Sequence, residues 1–208
     1  MTRPQLFGRN GSHFTRLVRM VAFEAGVDLD FQVIGDIQGL DPADYGGHPG
    51  LKFPVLVRGE ERTFGALTIC RRIVEAAPGE VRILWPEAMD PALQNAWELL
   101  SHAMLAQVQL VFGIAITGVP ADHPYIVKAE RGLDGTMAWL NARLPALLAD
   151  RPADPLSLFE IALYCQWEHL RFRPTVPLDG HDNLAAFSEA FGARPSALAT
   201  PYLIDRRL

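Results

Sequence analysis

Residues 5–26 read QLFGRNGSHFTRLVRMVAFEAG, and their pattern predicts the first two elements of the fold. The short apolar segment Gln5–Gly8 ends in the turn sequence Arg-Asn-Gly, a pattern that predicts a strand. From Phe14 onward, apolar residues recur at helical spacing as far as Ala25, and Gly26 stands where a glycine cap ends a helix. The stretch therefore predicts a strand that is followed at once by an amphipathic helix.

Two more strands and a second helix are predicted downstream. The sequence DFQVI at Asp30–Ile34 predicts a strand, and KFPVLV at Lys52–Val57 predicts another that is entered through Pro54. Apolar residues over 67–74 then return to helical spacing. The first part of the chain, residues 1–77, is therefore expected to form an α/β domain.

The composition changes after this point. Proline and glycine punctuate residues 78–90, which predicts a linker. The pattern from residue 91 to residue 208 is helical nearly throughout, which predicts an all-helical second domain. Its apolar-periodic runs lie at 91–113, 124–149, 157–171 and 183–192.

Composition excludes several classes of protein. Apolar residues make up 49% and charged residues 21% of the 208 residues, values typical of globular domains rather than disordered or collagen-like chains. The net charge of −5 disfavours a nucleic-acid surface and a polybasic membrane anchor, and no long apolar run predicts a membrane span. Cys70 and Cys165 are too few for a disulfide framework. We therefore expect a cytoplasmic protein.

Four motifs, taken in order, resemble the glutathione transferase superfamily, and in particular its serine-type, bacterial-like members. They are GSHFTRLVR at 11–19, HPGLKFPVLV at 48–57, SLFEIAL at 157–163 and FGARPS at 191–196. The resemblance implies an α/β thioredoxin-like N-terminal domain, an all-α C-terminal domain and a homodimer. It also implies glutathione as co-substrate, without a metal ion.

The resemblance assigns roles to four residues. Ser12 falls on the serine that contacts the glutathione thiol in serine-type members. Phe53 and Pro54 fall on the segment whose proline is cis and whose preceding residue pairs its backbone with the tripeptide. Lys52 falls on a lysine that pairs with the glycyl carboxylate, although an ordinary solvated lysine is the alternative.

Ser12 has a structural alternative as well. A serine hydroxyl that donates to the sulfur, together with a helix N-terminus, stabilises the thiolate and lowers the thiol pKa. The same serine is also suited to cap the helix that follows it. In that case His13 or Asn10 would turn inward, and Asn10 is the reserve candidate for contact with the thiolate.

The sequence departs from the family at Gly65-Ala66, where an acidic residue and a serine usually bind the γ-glutamyl end. Both side-chain anchors are missing. The backbone amides of Gly65 and Ala66 still begin a helix whose N-terminus can hold a carboxylate. Altered glutathione binding is therefore expected.

Two functions remain open at this stage. The first is a glutathione transferase in which Ser12 stabilises the thiolate for attack on an electrophilic small molecule. The second is a non-catalytic binding or interaction protein that has lost standard glutathione binding. The six histidines show no metal-binding spacing, and no nucleic-acid or membrane partner is expected.

Overall fold

The structure is a computed structural model that describes residues 3–149, 151 and 154–205. The described residues form two units. One contains the residues up to Val81 together with those from Ala193 onward, and the other spans Arg82–Gly192. The sequence assigned residues 193–208 to the helical domain, whereas contacts group the described part of this segment with the first unit. Residues 1, 2 and 206–208, at the ends of the two predicted domains, lie outside the described residues.

The first unit is built on a four-stranded sheet with the order β2-β1-β3-β4. The β1–β2 pair is parallel, as expected for two strands joined through a helix, and the other two pairs are antiparallel. The elements are β1 (Gln5–Gly8), α1 (His13–Glu24), β2 (Asp30–Val33), β3 (Val55–Arg58), β4 (Glu61–Phe64) and α2 (Ala66–Glu75).

In the sheet of the first unit, the largest differences between prediction and structure concern the third and fourth strands. The third strand begins at Val55 rather than Lys52, since Pro54 has no N–H group to donate to a ladder. The fourth strand, ERTF, was not predicted at all. Of its four residues only Thr63 is buried, so this strand carries no apolar alternation that a sequence pattern could reveal.

Helix α1 confirms the prediction made from residues 5–26. Its buried face includes Leu17, Val18 and Val21, which are at most 2% exposed. Ser12 caps its N-terminus, and Gly26 follows its C-terminus with a positive φ of 63°. Glycine adopts this left-handed conformation without the steric cost that a Cβ brings.

A short helix from the end of the chain packs against α1. This helix, α7 (Pro195–Leu198), lies beside α1 in the first unit. Arg194 donates to the carboxylate of Glu24 at 3.1 and 3.3 Å, and the Ser196 hydroxyl donates to the same carboxylate at 2.6 Å. These contacts explain why the last segment groups with the first unit.

The second unit is mainly helical. The capping box predicted at Ser157 and Glu160 is present at the start of α5, a helix that is buried along most of its length. The predicted linker includes one short strand that pairs in parallel with a strand preceding α5. The elements are β5 (Ile83–Leu84), α3 (Pro91–Leu110) with a π-helical continuation (Val111–Ile116), α4 (Pro124–Leu148), β6 (Leu156–Ser157), α5 (Leu158–Phe172) and α6 (Asp182–Gly192).

Within the described residues, one helical stretch is long and apolar enough to cross a membrane by length and composition alone. It is Pro91–Ile116, which comprises α3 and its π-helical continuation. A core helix of a globular protein passes the same test, and α3 packs against both α4 and α5. The stretch is therefore weak evidence for a membrane span.

Candidate active site

Strand register places three predicted segments at one end of the first unit's sheet. Phe7 pairs with Val55, and Val55 pairs with Phe64, so these three residues form one row across β1, β3 and β4. The chain leaves or enters the sheet just beyond this row. The three segments that meet there are the turn leading to Ser12, the Phe53-Pro54 dipeptide and the Gly65-Ala66 dipeptide.

The first segment is the β1–α1 turn, Arg9–Ser12. The Ser12 N–H donates to the Arg9 carbonyl at 3.2 Å, which closes the turn. The Ser12 side-chain Oγ then accepts from the Thr15 N–H at 3.2 Å. Ser12 is therefore the N-cap of α1, as one of its two predicted roles requires.

Capping leaves the hydroxyl proton of Ser12 available. A serine hydroxyl has one donor and two acceptor positions, and the cap uses an acceptor position. Ser12 is only half-buried. The two predicted roles of Ser12, helix cap and thiolate donor, are therefore chemically compatible.

The structure shows both polar neighbours of Ser12 held in place. Asn10 donates from Nδ2 to Asp205 Oδ1 at 2.6 Å, and its Oδ1 accepts from Arg19 Nη1 at 2.8 Å. His13 is 1% exposed, and its ring lies 4.5 Å from the ring of Phe14. His13 therefore turns inward, while Asn10 is fixed by an arginine and a carboxylate.

Positive charge predominates around this turn. Arg9 is part of it, and Arg19 Nη1 donates to Asn10 Oδ1 at 2.8 Å. Burial lowers the pKa of Arg19; the charge of Arg16 lowers it further, while Asp205 raises it. Two arginines, Arg9 and Arg19, therefore accompany one carboxylate at this turn, a balance of charge that favours an anion such as a thiolate.

The second segment contains Phe53 and Pro54, whose peptide bond is cis as predicted. Pro54 is buried and Phe53 is half-buried. Strand pairing in β3 begins at Val55, so the backbone of Phe53 lies outside the ladder. Lys52 is exposed one position earlier.

The third segment is the start of α2. Gly65 is its N-cap residue, with φ 81° and ψ 128°, and no side chain caps the helix. A Cβ added at Gly65 would meet no atom within 4 Å. The first amides of α2 therefore begin at an open position, where an anionic group can approach the positive end of the helix dipole.

Other features of the molecule lie away from these segments. A cavity of about 210 Å³ lies against the opposite ends of β3 and β4, lined by charged side chains such as Arg58 and Glu61, and contains none of the predicted residues. In the part of the chain that the structure describes, no group of three His, Cys, Asp or Glu side chains is arranged to hold a metal ion. Cys70 and Cys165 are both fully buried.

Comparisons with known proteins support the fold. No family model and no curated protein matches the chain. Among solved structures, a glutathione S-transferase of Methylobacillus flagellatus with glutathione bound aligns with a TM-score of 0.76 and 22% identity, covering 96% of this chain and 100% of that one. A family member from Pseudomonas fluorescens with bound glutathione aligns with a TM-score of 0.76 and 22% identity over 97% and 100%.

A third match is a glutathione S-transferase of Methylobacterium radiotolerans in complex with glutathione sulfonate. Its TM-score is 0.72 and its identity 24%, over 98% of this chain and 97% of that one. The chain has the glutathione transferase fold. This confirms the predicted α/β thioredoxin-like N-terminal domain and all-α C-terminal domain. The roles assigned to individual residues within that fold remain predictions.

Sequence reasoning missed two features of the candidate site in this glutathione transferase fold. One is β4, whose pairing with β3 places Phe64, the residue before Gly65, opposite Val55, the residue after Pro54. The other is Asp205, which reaches Asn10 from 195 positions away. No local pattern signals a contact over such a separation, so only the structure reveals it.

Proposed function

We propose that this protein uses the thiolate of glutathione against an electrophilic small molecule. The observation that carries the proposal is Ser12 at the N-terminus of α1, with its Oγ capping the helix and its proton available for a donor bond. Solved structures of the same fold contain bound glutathione or a derivative of it, which supports glutathione as the thiol.

Ser12 acts on the ionisation of the thiol. A free cysteine thiol has a pKa of about 8.5, so only a small fraction is ionised at neutral pH. A hydrogen bond from Ser12 and the positive end of α1 both stabilise the charged form. Lowering the pKa by about two units requires about 2.7 kcal/mol and makes the thiolate the main species at neutral pH.

The reaction is a nucleophilic group transfer. The thiol proton leaves to solvent, and the sulfur lone pair forms a carbon–sulfur bond with the electrophile. In a substitution the electron pair of the broken bond departs with the leaving group, and in an addition it takes up a proton. The protein lowers the barrier by stabilising the nucleophile and by holding it close to the second substrate.

The remaining site residues bind the tripeptide. Phe53 lies outside the strand ladder, so its N–H and C=O can pair with an extended peptide as a sheet edge does. Lys52 is exposed and can meet the glycyl carboxylate. The first amides of α2, at Gly65 and Ala66, receive the carboxylate of the γ-glutamyl end.

A calorimetric titration with reduced glutathione tests the proposal. We expect the wild type to bind, and Ser12→Ala to bind glutathione with similar affinity while the pKa of the bound thiol rises. That thiol pKa is read from the ultraviolet absorbance of the thiolate across a pH series. An unchanged thiol pKa in Ser12→Ala contradicts the role given to Ser12.

A second candidate is a non-catalytic binding protein of the same fold. The observation that favours it is the Gly65-Ala66 dipeptide, which offers no side-chain ligand and no side-chain cap at α2. A hydrogen bond to a charged group is worth about 1.5 to 3 kcal/mol, or roughly ten- to a hundredfold in affinity. Glutathione binding that appears only after Ala66→Ser favours this second function.

We also propose that the protein is a cytoplasmic homodimer. The resemblance of its sequence motifs to a family of dimers supports this assembly, and its two buried cysteines suit a reducing compartment. Light scattering coupled to size-exclusion chromatography tests the assembly, with twice the mass of the 23.0 kDa chain as the expected result. A monomer at the concentrations used for the glutathione titration contradicts it.

A further inference from the structure

The C-terminal segment Pro201–Asp205 is attached to the first unit in an unusual way. Leu203 and Ile204 are 52% and 75% exposed, although both are large and apolar. The side chain of Asp205 is only 4% exposed, although it is ionisable. Hydrophobic burial therefore does not hold the end of this segment; the carboxylate does.

The carboxylate of Asp205 contacts three nitrogen atoms of the β1–α1 turn: the backbone N and Nδ2 of Asn10, and Nε of Arg9. Its Oδ2 accepts from the Asn10 backbone N–H at 2.8 Å, and its Oδ1 accepts from Asn10 Nδ2 at 2.6 Å. Arg9 Nε lies 3.4 Å from Oδ2, and Arg9 Nη2 donates to the Asp205 carbonyl at 3.0 Å. A buried carboxylate is stable only with such compensation, because desolvation of an unpaired charge is expensive.

Arg9 and Asn10 are in turn fixed from the other side. Arg9 Nη1 donates to the carbonyls of Ile34 and Gly35, both at 2.8 Å. Asn10 Oδ1 accepts from Arg19 on α1. The Asp205 carboxylate therefore completes a network that joins the end of β2, the turn and α1.

This network ends at Ser12. The Arg9 carbonyl, on one side of the turn, accepts from the Ser12 N–H on the other side at 3.2 Å. The contacts of Arg9 and Asn10 therefore hold the backbone of the turn that leads into Ser12, whose Oγ accepts from the Thr15 N–H at the N-terminus of α1. Tyr202 adds a second attachment, since the guanidinium of Arg16 lies 4.4 Å above its ring.

We propose that Asp205 is a positioning residue for the thiolate site: its carboxylate holds the β1–α1 turn so that Ser12 presents its hydroxyl to the sulfur of glutathione. The proposal rests on the proposed function. It makes the C-terminal segment a working part of the glutathione site, although Asp205 itself contacts the turn rather than the thiol.

The test compares Asp205→Ala and Asp205→Asn with the wild type. Asparagine keeps the shape and one acceptor oxygen, so it separates loss of the carboxylate from loss of packing. Ile204→Ala is the matched control, because it truncates an exposed neighbour on the same segment. Hydrogen–deuterium exchange over residues 9–12 is measured without ligand, and the thiol pKa of bound glutathione is measured by ultraviolet absorbance.

We expect the amides of the turn to exchange at least tenfold faster in Asp205→Ala, with Asp205→Asn between Asp205→Ala and the wild type and Ile204→Ala unchanged. The thiol pKa is expected to rise by about one unit in Asp205→Ala, which from a pKa of about 6.5 is about a threefold loss of thiolate at neutral pH. A general loss of stability would lower the folded fraction without moving this pKa.

Three results would overturn the proposal. Equal exchange over residues 9–12 in Asp205→Ala and the wild type would show that the carboxylate does not hold the turn. An unchanged thiol pKa, with faster exchange, would show that the turn does not position Ser12 for the thiolate. Tighter glutathione binding in Asp205→Ala would show that the segment obstructs the site. A wild type that binds no glutathione instead refutes the proposed function itself.

Discussion

The two helix N-termini of the candidate site are built in opposite ways. At α1, Ser12 caps the helix with its side chain, and the preceding turn is held by an arginine, an asparagine and a distant carboxylate. At α2, Gly65 leaves the helix without a side-chain cap, and the space beside it is open. Both ends carry the partial positive charge of a helix dipole.

The difference is consistent with different roles for the two helix N-termini in binding glutathione. A hydroxyl that must meet a sulfur atom needs a fixed direction, so the protein surrounds the β1–α1 turn with hydrogen bonds. Backbone amides that receive a carboxylate already point along the helix axis and need only space and charge. We therefore propose that the α1 end governs reactivity and that the α2 end governs affinity.

Ser12→Ala is the change with the largest expected effect. Turnover of glutathione with chlorodinitrobenzene should fall by up to about 25-fold at neutral pH and by up to about a hundredfold near pH 5, since up to about two pKa units of thiolate stabilisation are lost. The lost cap should also cost about 1 kcal/mol in the free energy of unfolding. Steady-state kinetics and urea denaturation measure the two effects.

Two controls separate these effects. Ser12→Thr keeps a hydroxyl and should retain most of the turnover. Ser157→Ala removes the comparable cap of α5, so it should lower stability without changing the thiol pKa. If Ser157→Ala raised that pKa as much as Ser12→Ala, the assignment of reactivity to the α1 end would be wrong.

Ala66→Ser should strengthen the end that governs affinity. A hydroxyl in the first turn of α2 adds a hydrogen bond to the γ-glutamyl end, which is expected to tighten glutathione binding by roughly ten- to a hundredfold. Isothermal titration calorimetry measures the gain. Ala76→Ser, exposed at the other end of α2, is the control and should leave affinity unchanged. An equal gain in glutathione affinity in both variants would contradict the proposal that the γ-glutamyl end binds at the N-terminus of α2.

Gly65→Ala tests why glycine stands at the open helix end. The added Cβ meets no neighbouring atom, so the cost is the strain of a positive φ of 81°, about 1 to 3 kcal/mol in the free energy of unfolding. Gly79→Ala is the matched control, because that position is equally open and has no positive φ. If Gly65→Ala and Gly79→Ala lowered the free energy of unfolding equally, backbone strain at position 65 would not explain why glycine stands there.

Lys52→Ala is expected to have the smallest effect. An exposed ion pair is worth about 0 to 1 kcal/mol, so glutathione affinity should fall by up to about fivefold, and the difference should disappear at high salt. Calorimetric titration at two salt concentrations measures it. Lys128→Ala, exposed on α4, should show no change. A salt-independent loss would mean that Lys52 does more than pair with a carboxylate.

Local patterns predicted the parts of the fold that are stabilised locally. The apolar period of residues 14–25 identified α1, and the Ser157–Glu160 capping box identified the start of α5. Strand β4 was not predicted because it is mostly exposed and polar. Its pairing with β3, rather than a sequence pattern of its own, makes it a strand. The grouping of the segment from Ala193 onward with the first unit was not predicted either, because it depends on long-range contacts with α1.

Ser12 ahead of a helix and Pro54 ahead of a strand can be recognised from the amino-acid sequence alone, and so can the Gly65-Ala66 dipeptide, where the resemblance implies side-chain ligands. Hydrophobic periodicity, capping and proline geometry act over a few residues and can be read from neighbours in the chain. Tertiary contacts, in contrast, place the three segments at one end of a sheet and bring Asp205 to Asn10. Those contacts join residues far apart in sequence, and burial and charge compensation select them only once the chain is folded.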